Sequence, residues 1–351
     1  MPLLCRPLDD RSEAAWDDFV AAHPDATFFH RAAWRRVIQA AFGHTPHYLM
    51  AERDGAVVGV LPLMHMRSLL FGRTLISLPF CVYGGPLAVE AEAFAALADE
   101  AASLLAPARA GALELRLRAV PPQGWLDPER FVAGPDLYVT FRKPISGSDE
   151  ANLAAIPRKQ RAMVRKGLAH GLTAEVGADV DLLHAIYAES VRNLGTPVFA
   201  RRWFRLLAEA FRDSMDILAV RAGAGGRAVA AVMNFYWRDE VLPYYGGGTA
   251  AARDCHANDV MYWEVMRHAA ARGCRIFDYG RSKRGTGSFA FKKNWGFVPA
   301  PLDYRFHLAP GAAIPDHNPL SPKYRLMVAA WKRLPLPLAN VLGPPIVRGI
   351  G

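Results

Sequence analysis

Cysteine is scarce: Cys5, Cys81, Cys255 and Cys274 are the only four in 351 residues, far apart and with no C-x-x-C. No His pair at metal-ligand spacing accompanies them, so neither a zinc site nor a disulfide framework is indicated and no metal is expected. A run of about eighteen apolar residues, the length of a membrane span, is also missing. The best candidates, LISLPFCVYGGPLAV and LPLPLANVLGPPIV, are interrupted by proline and glycine. The start, MPLLCRPLDDRSEAAWDDF, turns acidic early and lacks the apolar stretch of a secretion signal. Cytoplasmic residence is expected, with peripheral contact at the inner membrane left open. Acids are the minority charge, 33 Asp and Glu against 42 Lys and Arg, a net +9. Such a field favours anionic partners such as tRNA, phosphorylated precursors or anionic lipid, although an ordinary basic surface has the same count.

What is present is the composition of packed globular protein, 52% hydrophobic, 21% charged and 11% aromatic, at a length suited to about two domains. The pattern reads as α/β (α+β). A helix is expected over 31–42 with Trp34, Val37, Ile38 and Ala41 at helical spacing, then a hairpin turning at Asp54-Gly55, a strand ending at Gly84-Gly85, a helix over 90–105 and a strand in ALELRLRAV. TFRKPISGSD, 140–149, reads as a connection. ANLAAIPRKQRAMVRKGLAHGL reads as one helix with five cations and no acid; helices over 180–194 and 201–212, the strands MDILAVRA, AVAAVMNFYW and VLPYYGGG, a helix in ANDVMYWEVMRHAAARG and the strand CRIFDYG follow. The expected division is 1–145, 146–309 and a Pro-rich basic tail, 310–351. In the tail, Ser321-Pro322 suits a helix start, and KYRLMVAAWKRL sets Leu326, Val328, Ala329, Trp331 and Leu334 beside cations, a helix that either packs on the body or rests on a membrane.

The chemistry gathers near the end of the second domain. VLPYYGGGT, the following helix and CRIFDYGRS form a βαβ unit whose strand C-termini share one edge, where open α/β sheets bind ligands. Tyr245, Gly246, Gly247 and Gly248 arrive there from one strand, Tyr279, Gly280, Arg281 and Ser282 from the other. The glycines either let a substrate approach the backbone or only adapt the strand end; Asn258 or Asp259 is the expected helix cap. Asp278 faces covered sheet, so an ion pair with Arg281 or a neighbouring cation is favoured over a general base. In SFAFKKNWG, Phe291 and Trp295 share a helical face, and either Lys292 or Lys293 can aim a cation at the sheet edge, stabilising an oxyanion as an amine attacks an acyl carbonyl.

Three segments together, Phe291-Lys292-x-x-Trp295-Gly296, Asp278 to Ser282, and the Arg-rich stretch 157–166, resemble the FemAB family. The tail NPLSPKYRLMVAAWKRLPLPLANVLGPPIVRGIG makes the chain more closely similar to FemAB-like proteins associated with exosortase and PEP-CTERM systems. The resemblance implies two tandem GNAT-like domains with mixed sheets flanked by helices. It also implies transfer of an acyl or aminoacyl group to an amine of a cell-envelope or exopolysaccharide precursor. Lys292 and Phe291 then lie at the reaction centre, and Arg281, Arg161 and Arg165 grip anionic parts of donor or acceptor. No bound cofactor is implied; the donor is aminoacyl-tRNA or an acyl thioester, acyl-CoA or acyl carrier protein. Two features depart from the pattern: the run Leu115 to Pro121 holds no acid where relatives acting on peptidoglycan tend to have one after the first unit's strand, and the pyrophosphate loop of acetyl-CoA enzymes is absent after Arg253. Two other classes stay open, a non-catalytic polyanion (tRNA) binding module and a membrane-associated envelope-assembly scaffold.

Overall fold

The structure, a computed structural model, describes residues 2–68, 71–223, 225–315 and 322–351. Unit 1 opens with β1 (Leu4–Pro7) and α1 (Glu13–Ala22), then α2 (Ala33–Phe42), β2 (Thr45–Pro46), β3 (Leu49–Arg53) and β4 (Ala56–Leu61). α2 buries Trp34, Val37, Ile38 and Phe42 on one face. The β3–β4 turn falls at Asp54 and Gly55, both with positive φ, as a twisted two-residue hairpin turn requires. Next come β5 (Met64–Ser68), β6 (Gly72–Ile76), β7 (Leu87–Ala88), α3 (Ala91–Ser103), α4 (Leu105–Ala108), β8 (Ala112–Leu117) and β9 (Val132–Ala133). Strands β1, β3, β4 and β7 form an antiparallel sheet in the order β1-β3-β4-β7. β6 and β8 pair in parallel, with α3 and α4 in the chain between them. Leu61, Leu97, Leu113, Leu115 and Phe131 belong to this unit's core.

Unit 2 begins with β10 (Tyr138–Pro144), where a connection was expected. Tyr138-Val139-Thr140-Phe141 is a β-branched and aromatic run, and its strand is inserted between β15 and β16 of the sheet described next. The single helix expected over 151–172 is two, α5 (Asp149–Ala155) and α6 (Arg158–Ala169). Pro157 is the cause: it forces the preceding residue out of helical geometry, and Ile156 sits at ψ 130°. Then follow β11 (Leu172–Gly177), α7 (Val180–Leu194), α8 (Arg201–Ala210), β12 (Met215–Ala222), β13 (Ala228–Trp237), β14 (Glu240–Gly248), α9 (Ala257–Ala271), β15 (Ile276–Asp278), β16 (Ser282–Lys283) and α10 (Gly287–Asn294). The sheet order is β11-β12-β13-β14-β15-β10-β16, with β17 also paired to β10, and β14 and β15 are parallel neighbours. α9 spans that crossover, burying Val260, Met261, Trp263, Val265, Met266 and Ala269. Asp179 caps α7 through the Leu182 amide at 2.9 Å, and Thr286 caps α10 through the Phe289 amide.

After β17 (Pro299–Pro301), β18 (Asp303–Leu308) returns to pair with β8 and β9, completing a sheet ordered β2-β5-β6-β8-β18-β9. α11 (Pro322–Trp331) and α12 (Leu336–Val347) belong to unit 2, where a Cβ on Gly343 would meet the Val198 amide at 2.8 Å and one on Gly195 would meet Val328 at 2.5 Å. The last residues belong to unit 1, with the Arg348 carbonyl 2.9 Å from His44 Nε2. The units are therefore discontinuous: 2–136, 301–315 and 348–351, against 137–300 and 322–347. The cuts near 145 and 309 give way to this division because β10 pairs with β15 and β18 with β8. Ser321, the expected cap of the tail helix, lies outside the described residues.

Candidate active site

The parallel strands β14 and β15 stay in register for two pairs, Glu240↔Ile276 and Val241↔Phe277. Past Val241, β14 bends. Its register against β13 slips so that Met233 opposes Tyr245 and Asn234 opposes Pro243, leaving Tyr244 as the extra residue of a bulge. A bulge re-aims a strand. β15 meanwhile ends at Asp278, paired on its other side to Arg142 of β10. The two strand ends so part at the edge where an open α/β sheet binds ligands.

Asp278 is buried, and its carboxylate accepts the Gly280 amide at 2.7 Å while pairing with Arg142 Nε at 3.3 Å. Arg142 is the neighbouring cation that the buried acid required. The chain then turns through Gly280, at φ 63°. Lys292, on the last turn of α10, closes over this turn. Its Nζ donates to the carbonyls of Tyr279 at 2.8 Å, Gly280 at 3.1 Å and Arg281 at 3.0 Å, using all three ammonium donors. The ammonium also lies over the rings of Phe141 and Tyr279, at 5.6 and 5.8 Å. With Lys292 only 9% exposed, burial pulls its pKa down to about 7; Asp278 works against that shift and Arg281 adds to it. Of the two lysines left open by the helical pattern, Lys292 faces the sheet edge and Lys293 lies near Phe289.

Aromatics hold the lysine's helix in place. Phe291 packs on Tyr262 and Trp295, and Tyr262 meets Tyr279 edge to face at 4.9 Å. The indole of Trp295, fully buried, donates to Asp259 at 3.3 Å, and Gln160 of α6 donates to the same oxygen. Asp259 is thus a buried acceptor inside the first turn of α9, with its carboxyl pushed up by burial, and not a cap; α9 starts one residue before Asn258, after His256 at φ 55°. The Arg281 guanidinium stacks on Tyr138 at 4.6 Å, with Lys283 near the same ring. Ser282 Oγ and the Tyr279 hydroxyl are buried here without a hydrogen-bond partner.

Other expected members stand elsewhere. Tyr245 is buried among Tyr187, Phe199 and Phe204. A Cβ on Gly246 would meet Val232 at 2.8 Å, one on Gly247 would meet Ser190 Oγ at 2.3 Å, and one on Gly248 would meet Asn258 at 2.6 Å. It is the protein itself that approaches this glycine run. Arg161 is half-buried and Arg165 exposed on α6, which packs on α9 and β11. In the loop before α9 the Ala250 amide donates to the Glu189 carboxylate at 2.8 Å. Sequence reasoning missed Tyr138, Thr140, whose hydroxyl donates to Asp278 at 3.5 Å, Arg142 and Tyr262. The alternation in YVTFRKP was the available signal for the first three.

Residues 154–293, about two-fifths of the chain, match the family model for the acetyltransferase (GNAT) domain. Among solved structures, "Crystal structure of FemX" superposes with a TM-score of 0.68 at 16% identity, over 93% of this chain and 100% of that one. The chain has a tandem GNAT-like fold. A tandem GNAT protein from the clavulanic acid biosynthesis pathway matches at TM-score 0.55 and 15% identity, over 89% of this chain and all of that one. L-PGS from Bacillus licheniformis matches at 0.53 and 13%, over 98% of each. A search of curated proteins finds no match. In GNAT-like terms, β14, α9 and β15 are the parallel crossover of the second domain, and the acetyltransferase match ends one residue past Lys292.

Proposed function

We propose that this chain is a FemAB-type N-acyl or aminoacyl transferase, moving an activated group onto an amine of a cell-envelope or exopolysaccharide precursor in the context of exosortase and PEP-CTERM systems. The observation that carries the reading is the lysine cage: a buried ammonium clasping the turn that follows β15, held by carbonyl dipoles. Carbonyls solvate the charge without cancelling it, so its field acts on the acyl oxygen as negative charge develops there. The amine nitrogen bonds to the acyl carbon and the oxyanion forms; collapse breaks the bond from carbon to the leaving oxygen or sulfur, and the proton given up by the amine nitrogen ends on the departing ribose hydroxyl of tRNA or thiol of a thioester. Lys292 supplies the positive charge, Phe291 and Trp295 anchor its helix, and Arg281 binds an anionic part of the substrate. Exposed Arg158, Lys159, Arg165 and Lys166 on α6 suit a polyanionic donor such as aminoacyl-tRNA. The pyrophosphate-loop pattern of acetyl-CoA enzymes is absent after Arg253, which weighs against coenzyme A in the usual phosphate cradle.

Intact-mass comparison of polymer precursors from producing cells and a deletion strain tests the reading. One acyl or aminoacyl increment should vanish in the deletion; identical masses would overturn it.

A peripheral membrane contact is a second element of the proposal. Leu326, Met327 and Val341 are 82%, 60% and 71% exposed on the tail helices, which also carry the exposed Arg325, with exposed Arg333 in the link between them. Apolar residues standing out beside cations suit an anionic lipid surface.

A further inference from the structure

One face of the β5–β6 hairpin in unit 1 carries a concentration of positive charge that the transferase reading does not use. His65 and Arg67 lie two apart in β5 and so project to the same side. Arg73 of β6 is the direct cross-strand partner of Arg67. Like charges placed opposite one another destabilise a sheet. His47, following β2, brings its ring to 6.2 Å from that of His65. Arg109, at the end of α4 with φ 50°, completes the rim. Together with Leu104, Pro107 and Ala108 these residues line a cavity of about 450 Å³, and no carboxylate is among them.

At the base sits His65, 8% exposed, with a ring nitrogen, Nε2, that is buried and has no hydrogen-bond partner among the described residues. Burial and the nearby His47, Arg67, Arg73 and His44 all push its pKa down, to about 4, so the ring is neutral at pH 7. A buried polar atom without a partner is unfavourable unless something supplies one. Three exposed guanidinium groups around it describe what that partner is: an acceptor with several oxygens and negative charge, to which arginine donates in pairs.

We propose that this hollow is a binding site belonging to unit 1 for a phosphate-bearing ligand, its oxygens held by Arg67, Arg73 and Arg109 and reached by His65 Nε2–H. The cavity exceeds one phosphate, so a diphosphate or a phosphate ester fits, with the remainder of the ligand against Leu104 and Pro107.

The test uses the full chain with inorganic pyrophosphate as probe, titrated by calorimetry and followed through the His65 imidazole resonances. Wild type should bind saturably, and the proton affinity of His65 should rise at least tenfold at saturation. The double variant R67S/R73S, which alters exposed side chains and removes the opposed like charges, should melt no lower than wild type and should bind at least tenfold more weakly. Vesicles of phosphatidic acid in phosphatidylcholine separate the sources: vesicle binding displaced by pyrophosphate assigns the phosphate to a lipid headgroup, and pyrophosphate binding without vesicle binding assigns it to a soluble ligand. Absence of saturable binding, equal binding by R67S/R73S, or an unmoved His65 resonance would each overturn the site.

Discussion

At the scale of the residue, Lys292 carries two opposed pH dependences. In the fold its pKa is about 7 against an ordinary 10.5, so between those values the unfolded chain holds a proton that the folded chain has released. Stability contributed by this group therefore rises with pH across that window. Urea denaturation from pH 7 to 10 should show this climb in wild type relative to Lys292→Met, which lacks the group; parallel curves would mean an unshifted lysine. Activity that depends on the ammonium runs the other way and should fall as pH rises through about 7. Lys292→Met should lower kcat by roughly two to three orders of magnitude, the usual scale for removing one preorganised group that stabilises an oxyanion electrostatically. Circular dichroism should confirm that the variant remains folded. Asp278 belongs to the same scale. Asp278→Ala leaves Arg142 without this ion-pair partner and the Gly280 amide without its acceptor, so denaturant titration should register a loss of about 3 kcal/mol.

At the scale of the element, the glycine run of β14 is a packing device. Ser190 of α7 stands so close that a Cβ on Gly247 would fall 2.3 Å from its Oγ and 2.4 Å from its Cβ. Gly247→Ala should destabilise the protein by about 1–3 kcal/mol, the range for overpacking. Ser190→Gly, by removing both clashing atoms, should recover much of that loss in the double variant. Additive losses in thermal melts would show that the glycine serves something other than the fit of helix on strand. α10 works similarly as a unit, since Phe291 and Trp295 anchor one face and the neighbouring Lys292 is thereby fixed over the turn it clasps.

At the scale of the whole molecule, the chain leaves unit 1 at residue 136, builds unit 2, returns at 301, supplies α11 and α12 to unit 2 and ends in unit 1. Cutting away the tail would thus disturb both units, and lipid binding is better tested by point changes. The triple variant Leu326→Glu, Met327→Glu, Val341→Glu alters exposed positions and should abolish flotation with anionic liposomes while leaving the melting temperature unchanged. Flotation equal to wild type would remove the tail from any membrane role.

Periodicity alone determined the local elements: the helical face of Trp34, Val37 and Ile38, the Asp54-Gly55 turn, and strands 215–222 and 228–237 all follow from spacing and turn chemistry that act over a few residues. The Phe291–Trp295 face was equally legible, because residues four apart on a helix meet whatever surrounds them. Partnership across long separations was not legible. Asp278 needed a cation, yet its pairing with Arg142 depended on β10 entering the second sheet, a choice made by strand pairing. Lys292 could be aimed at the sheet edge from its helix, but only tertiary packing brought the three carbonyls of residues 279–281 around its ammonium and lowered its proton affinity. Local sequence sets which side chains share a face; burial and the meeting of distant strands decide which charges they must satisfy.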